Sequence, residues 1–208
     1  MAEALDPAVP PVVDELAKAV LAQACDSGLR LATAESCTGG LLASLLTDIP
    51  GRSHAFERGF VAYTHEAKRA MLGVPDEVLK GDGAVSEACA RAMAEGALAH
   101  SEADLAVSIT GFTEGGPGQP AGLVHFASAR ADHGTTHQEI RFGDIGRAEI
   151  RLRALETALT LMRDQLLLHR REGDRRGASP QVRDETEGAQ SPLSDPGALR
   201  LTPSPPRC

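Results

Sequence analysis

Aromatic side chains and positive charge are both scarce in this sequence of 208 residues. It has no tryptophan and one tyrosine, and its 29 acidic residues outnumber its 21 lysines and arginines, which leaves a formal charge of −8 at pH 7. Proteins that bind nucleic acids need basic patches for the phosphates and aromatic rings that stack on the bases. The composition therefore predicts no nucleic-acid partner, although local positive groups can still hold a small anion.

Long apolar runs and closely spaced cysteines are also missing. No stretch approaches the roughly 18 apolar residues that a membrane span requires, and residues 1–11 lack the pattern of a secretory signal. The wide spacing of Cys25, Cys37, Cys89 and Cys208 fits neither a Cys-x-x-Cys pair nor a metal finger. Together with the absence of a His-Glu-x-x-His motif, this predicts a cytoplasmic protein with free thiols, no membrane partner and no metal or other cofactor.

Helical and strand patterns alternate along most of the chain. Apolar residues at helical spacing predict helices over residues 12–24, from 41 to 47, over 65–72, from 87 to 98 and over 147–169. Short apolar runs bounded by turn residues predict strands over residues 31–35, 59–63, 104–110, 123–130 and 135–142, the last two as a hairpin. We therefore expect an α/β fold, a three-layer α/β/α sandwich with a mixed sheet.

The two ends of the chain differ from this pattern. Residues 171–208 are rich in proline, glycine, serine and charge, and their few apolar residues are too isolated to offset the entropy of ordering. The sequence thus predicts a flexible N-terminus over residues 1–10, one domain over residues 11–170 and a disordered tail over residues 171–208.

The turn after the first predicted strand is the main candidate for chemistry. There an apolar run ends in Ser36, Cys37, Thr38 and two glycines. Such a turn exposes a nucleophile beside unpaired backbone N–H groups, which makes Ser36 the first candidate. Ser36 is equally suited to capping the next helix. Cys37 is a rival nucleophile at the same helix start, or a small buried thiol that packs behind the turn.

A serine nucleophile needs a base, and Lys68 is the candidate. It follows the next predicted strand–helix junction, and adjacent strands of one sheet would bring both junctions to the same edge. Lys68 would have to be neutral part of the time, through loss of solvent or a neighbouring cation. Spacing alone also fits a solvated lysine on the surface of a helix.

Five separated motifs resemble those of the CinA C-terminal domain family over roughly residues 10–168. They are TAESCTGG (33–40), FERGFVAY (56–63), EAK with LGV (66–68 and 72–74), GAVS (83–86) and SITG (108–111). Stand-alone members of this family include nicotinamide-nucleotide amidohydrolases. The resemblance implies hydrolysis of the carboxamide of nicotinamide mononucleotide to nicotinic acid mononucleotide and ammonia, in pyridine nucleotide salvage, by a dyad that maps onto Ser36 and Lys68.

The resemblance also implies how the substrate, a pyridine mononucleotide, is held, and that the protein forms a homo-oligomer. The implied substrate contacts come from Thr38, Gly39, Gly40, Tyr63, Thr110, Gly111 and Arg151. In this interpretation backbone amides of the turn polarise the carbonyl oxygen, and Arg151 binds the phosphate as a rigid fork. Arg151 also fits a solvated helix arginine, and Tyr63 also fits a core residue with its hydroxyl at the sheet edge.

Residues 112–123 depart from the family pattern. Relatives usually carry Ile-Ala-Gly-Pro and later Lys-Pro-Val-Gly-Thr, whereas this chain has FTEG at 112–115 and QPAGL at 119–123. A lysine is thus missing and Glu114 is gained, which should weaken any phosphate contact in this loop. Two alternatives therefore stay open: a catalytically weak CinA-like nucleotide-binding or interaction module, and an amidase that acts on another small amide.

Overall fold

The computed structural model describes the backbone of residues 9–177 and the side chains of residues 9–168. The α-helices within this range are α1 (Pro11–Ser27), α2 (Leu41–Thr47), α3 (His65–Leu72), α4 (Asp76–Lys80), α5 (Glu87–Ala99) and α6 (Arg147–Gly177), and a short 3-10 helix spans Ser53–Ala55. The strands are β1 (Leu31–Glu35), β2 (Phe56–Val61), β3 (Leu105–Gly111), β4 (Leu123–Arg130) and β5 (Gly134–Arg141). None of these helices is long and apolar enough to cross a membrane.

The five strands form one mixed sheet in the order β2-β1-β3-β4-β5. Strand β1 is parallel to both β2 and β3, while β4 is antiparallel to β3 and to β5. The predicted mixed sheet and its terminal hairpin are therefore confirmed. Because β1, β2 and β3 run in the same direction, the segments that follow them meet at one edge of the sheet.

Helices cover both faces of the sheet, which confirms the predicted three-layer sandwich. On β3, Val107 packs in a core shared with α1 and α6, whereas Ala106 packs in a second core shared with α5. Large side chains on one face and small ones on the other let α5 lie close to the sheet, where Ser108 Oγ donates a hydrogen bond to the Ala90 carbonyl. A Cβ added to Gly96 of α5 would lie 1.9 Å from the Leu72 carbonyl oxygen, so only glycine fits this crossing.

Several element bounds differ from the prediction by one to eight residues, and the sequence did not predict α4. Strand β2 begins at Phe56, three residues before the predicted start at 59, because an edge strand tolerates polar residues such as Arg58. Helix α4 has five residues, too few to show a helical period. Helix α6 continues past residue 170 to Gly177, since adding a residue to a helix that is already formed costs far less than nucleating one. Residues 1–8 and 178–208, the rest of the predicted flexible ends, lie outside the described residues.

Candidate active site

The turn between β1 and α2 places Ser36 at the carboxyl edge of the sheet. Its backbone N–H donates to the Ile109 carbonyl of β3 at 2.9 Å, which continues the sheet pairing into the turn. Gly39 and Gly40 then adopt φ angles of +63° and +90°, a left-handed conformation that residues with a Cβ rarely occupy. The chain therefore reverses within a few residues and begins α2, leaving the Ser36 side chain largely buried beside β2 and α3.

Lys68 reaches the same edge from α3. The helix begins after Thr64, whose hydroxyl accepts a hydrogen bond from the Ala67 N–H at 3.1 Å, so Lys68 lies in its first turns and faces inward. Its Nζ donates to Ser36 Oγ at 2.9 Å and to the Ala62 carbonyl at 2.8 Å. Only 1% of Lys68 is exposed. The structure thus brings together the two residues that the sequence singled out as nucleophile and base.

Burial lowers the pKa of the Lys68 amine below its usual 10.5. The titratable groups that act on it are the thiols of Cys37 and Cys89, and burial raises the pKa of each thiol to about 11, so both are neutral at pH 7. Within residues 9–168, no carboxylate forms an ion pair with Lys68. An amine that has lost water without gaining a counter-ion is easily deprotonated, which is what a general base requires.

The same burial weighs against Cys37 as the nucleophile. Its side chain is 6% exposed and packs with the apolar core beneath the turn. With a pKa of about 11 the thiol is protonated at neutral pH, and a thiol is a far weaker nucleophile than a thiolate. The structure therefore favours Ser36, whose hydroxyl already contacts a candidate base.

Glu35 is an important residue of this site whose role the sequence reasoning missed. Its fully buried carboxylate accepts hydrogen bonds from the N–H groups of Gly40 at 3.0 Å, Leu42 at 3.1 Å and Ala43 at 2.8 Å. It thus caps the N-terminus of α2 from the preceding strand, where Gly40 has no side chain to do so. The sequence did contain a signal for this role, since Glu35 is a lone carboxylate at the end of an apolar strand. It was missed because a helix cap is normally sought in the residue directly before the helix.

The backbone N–H groups of the turn divide into engaged and unengaged donors. Gly39 N–H donates to the Ser36 carbonyl at 3.1 Å, and Gly40 N–H donates to the capping carboxylate. The expectation that these two glycine amides face the substrate therefore needs correction, because both already have acceptors inside the turn. The N–H groups of Cys37 and Thr38 directly follow Ser36, and they donate to no other residue among those described.

A cleft of about 200 Å³ opens beside the turn. It is lined by Cys37, Tyr63, Gly111, Phe112, Thr113, Glu114, Gln119 and Arg147. Two of the implied substrate contacts, Tyr63 and Gly111, are therefore in its wall. A Cβ added to Gly111 would lie 2.7 Å from a methyl of Val124, so this wall cannot carry a larger residue without displacement of β4. Phe112 comes from the irregular loop after β3, where no sequence periodicity pointed to it.

Other implied contacts lie outside the residues that line the cleft. The Thr110 hydroxyl donates to the Ala84 carbonyl at 2.6 Å and is fully buried. Arg151 donates a hydrogen bond to the carbonyl of Thr38 and so supports the backbone of the nucleophile turn. The arginine that lines the cleft is Arg147, one helical turn earlier in α6. Both arginines are near the start of α6 in the sequence, so either one matched the implied substrate contact. Only the packing of α6 shows which of the two lines the cleft.

A family model for the CinA C-terminal domain matches residues 13–166, which include the whole sheet, the Ser36 turn and Lys68. The chain belongs to the CinA C-terminal domain family. It is 45% identical over 157 residues to a CinA-like protein of Akkermansia muciniphila, and 46% identical over 157 residues to a CinA-like protein of Synechococcus sp.. These alignments cover 74% of this chain but 38% and 37% of the relatives, so the chain spans less than two fifths of their length.

Solved structures of CinA proteins share the fold. The crystal structure of competence/damage inducible protein CihA from Agrobacterium tumefaciens is 47% identical, with a TM-score of 0.71, over 74% of this chain and 95% of that one. A competence-damaged protein (CinA) superfamily protein from Klebsiella pneumoniae is 37% identical, with a TM-score of 0.70, over 74% and 98% of the two chains. The mixed five-stranded sheet with helices on both faces is thus the CinA fold.

Proposed function

We propose that this CinA-family chain hydrolyses the carboxamide of nicotinamide mononucleotide to nicotinic acid mononucleotide and ammonia, a reaction of pyridine nucleotide salvage. The observation that carries the proposal is the 2.9 Å contact between Ser36 Oγ and Nζ of Lys68, an amine buried without a carboxylate partner among the described residues. The resemblance of the five motifs to those of nicotinamide-nucleotide amidohydrolases supports the choice of substrate.

In the proposed mechanism Ser36 Oγ attacks the carboxamide carbon while neutral Lys68 takes the hydroxyl proton. The carbonyl oxygen becomes an oxyanion, which the N–H groups of Cys37 and Thr38 can stabilise. The Lys68 ammonium then gives its proton to the amide nitrogen as the C–N bond breaks, and the NH2 group leaves as ammonia. Lys68 then takes a proton from a water molecule, which attacks the acyl-serine. The bond between the acyl carbon and Ser36 Oγ breaks, Lys68 returns the proton to Ser36 Oγ, and the carboxylic acid leaves.

The cleft wall suggests how the rest of the substrate is held. Tyr63 and Phe112 provide aromatic surface for the pyridine ring. Arg147 provides the positive charge for the phosphate, and a guanidinium binds a phosphate through two parallel N–H groups. In this proposal Arg151 holds the Thr38 carbonyl and so keeps the neighbouring N–H groups directed toward the reacting carbonyl.

Incubation of the purified chain with nicotinamide mononucleotide tests the proposal. We expect ammonia and nicotinic acid mononucleotide in equal amounts, and a rate from the Ser36→Ala variant that is lower by about 10⁴-fold or more. Tight binding of the mononucleotide without turnover would contradict an amidohydrolase and favour a CinA-like binding or interaction module. Turnover of a different small amide, lost in the Ser36→Ala and Lys68→Ala variants, would contradict the substrate but keep the chemistry.

The rate of hydrolysis should increase with pH, because the fraction of Lys68 that is neutral increases with pH. Because the base must be neutral, kcat/KM is expected to rise with pH along an acid limb whose midpoint lies below 10.5, since burial lowers the pKa of Lys68. Initial rates measured across the pH range give this profile. The Lys80→Met variant removes an exposed lysine of α4 and should leave the midpoint unchanged. A rate that falls as pH rises toward 10.5 would contradict the assignment of Lys68 as the base.

Protein stability should show the same pKa without any substrate. Between the lowered pKa of Lys68 and 10.5, the unfolded chain binds one more proton at this residue than the folded chain does. The free energy of unfolding contributed by Lys68 therefore rises with pH in that window. Urea unfolding at several pH values should show this slope in the wild type and a smaller slope in the Lys68→Met variant.

A further inference from the structure

Glu114 lies in the cleft wall and is ion-paired with the arginine there. Arg147 Nη1 is 3.3 Å from Glu114 Oε1 and 3.0 Å from the hydroxyl of Thr113, which is itself 7% exposed. Glu114 and Arg147 are the two charged side chains among the described residues that line the cleft. A phosphate that approaches Arg147 therefore meets the Glu114 carboxylate, which already accepts a hydrogen bond from Nη1 of the guanidinium.

From this contact we propose that Glu114 is a specificity-determining residue that lowers the preference of the enzyme for phosphorylated over unphosphorylated pyridinium amides. This inference rests on the proposed function. A phosphate dianion binds Arg147 only if Glu114 moves aside or shares the guanidinium, and two like charges at one cation repel each other. An uncharged substituent at the same place meets no such opposition.

The exposure of the pair limits the size of the effect. The side chains of Arg147 and Glu114 are 48% and 73% exposed, so solvent and salt screen their interaction. A screened pair is displaced at low cost, which means that Glu114 reduces the affinity for phosphate without abolishing it. We therefore expect an effect of about three- to tenfold, which decreases at high ionic strength.

Nicotinamide mononucleotide and nicotinamide riboside test the inference because they differ only in the phosphate. Any effect of Glu114 on the shared pyridinium cancels in the ratio of their kcat/KM values. In the Glu114→Gln variant this ratio, mononucleotide over riboside, is expected to rise about three- to tenfold. The change should appear in KM for the mononucleotide, with kcat within about twofold of the wild type because Glu114 is remote from the reacting carbonyl in the proposed mechanism.

The chain offers a closely matched control in Glu102→Gln. Glu102 and Arg30 also form an ion pair at 3.3 Å, and the Glu102 side chain is 75% exposed, against 73% for Glu114. Arg30 directly precedes β1, so this pair lies at the end of the sheet opposite to Ser36. The variant makes the same change in net charge, and its substrate ratio should stay within about twofold of the wild-type ratio.

Binding measurements separate failure of this inference from failure of the proposed function. In the Ser36→Ala background, calorimetry with both ligands should show the same three- to tenfold change in the ratio of dissociation constants on Glu114→Gln. Turnover of both substrates with an unmoved ratio, or an equal change in the Glu102→Gln variant, overturns the inference alone. Binding with the expected ratio but no turnover overturns the proposed function alone, and a chain that binds neither ligand overturns both.

Discussion

The Ser36→Ala variant is expected to lower kcat for nicotinamide mononucleotide by about 10⁴-fold or more, because it removes the atom that forms the acyl intermediate. Lys68→Met should have a comparable effect, since a serine hydroxyl without a base is a poor nucleophile near neutral pH. The side chains touch at 2.9 Å and act in the same step, so their losses should not add. The kcat of the double variant is expected to be about equal to that of whichever single variant has the lower kcat.

The wild type, the two single variants and the double variant form a double-mutant cycle. Steady-state rates of ammonia release are measured for these four proteins. Lys80→Met serves as the control for loss of a lysine, because Lys80 is exposed and pairs with Asp76 on α4. Its rate should stay within about twofold of the wild-type rate. Losses that multiply, so that the double variant is slower by the product of the single effects, would show that Ser36 and Lys68 act independently and would contradict the dyad.

Cys37→Ala distinguishes the two candidate nucleophiles in the same assay. The variant keeps the backbone N–H that we assign to the oxyanion and removes only a thiol whose pKa is about 11. We expect its kcat to stay within about tenfold of the wild-type value, with the residual loss due to repacking beneath the turn. A loss as large as that of Ser36→Ala would instead identify Cys37 as the nucleophile.

Replacing Glu35 by Ala is expected to lower the free energy of unfolding by about 3 kcal/mol and kcat by about 10²-fold. The buried carboxylate accepts three backbone N–H groups at the start of α2, and its removal leaves these donors without an acceptor in the protein interior. The turn that holds Ser36 would then relax, and small displacements of a nucleophile are costly in rate. Urea unfolding and ammonia release measure the two effects.

Glu77→Ala is the matched control for the Glu35 prediction. Glu77 also lies at the start of a helix, in the first turn of α4, but its side chain is exposed. Its loss should change the free energy of unfolding by about 0.5 kcal/mol or less. If Glu35→Ala were as mild as Glu77→Ala in both assays, the capping carboxylate would not be what holds the nucleophile turn.

Much of the fold was predictable because its signals are local. Helix α3 begins after a capping threonine and ends before Gly73, and its predicted bounds agree with the structure. The errors occur where local signals are weak: polar residues in an edge strand hid the start of β2, and α4 is too short to show a period.

The candidate site divides in the same way. The juxtaposition of Ser36 and Lys68 followed from topology, since two parallel neighbouring strands bring their following turns to one edge. The role of Glu35, the choice between Arg147 and Arg151, and the place of Phe112 in the cleft did not follow from any sequence pattern. Each depends on where a side chain points after the helices have packed, and residues one helical turn apart carry the same sequence signal.

By itself, the sequence determined the order of the helices and strands other than α4, showed the family resemblance, and singled out Ser36 and Lys68 as a candidate nucleophile and base, because periodicity and turn chemistry depend on neighbours along the chain. Only the tertiary structure decided that Lys68 is buried without a carboxylate partner among the described residues. It also decided that the N–H groups of the two glycines are engaged within the turn, whereas those of Cys37 and Thr38 donate to no other described residue, and that Glu114 meets Arg147 in the cleft. Burial and pKa arise from groups distant in sequence that only packing brings together, and the hydrogen bonds of the turn depend on the path that its backbone takes in space.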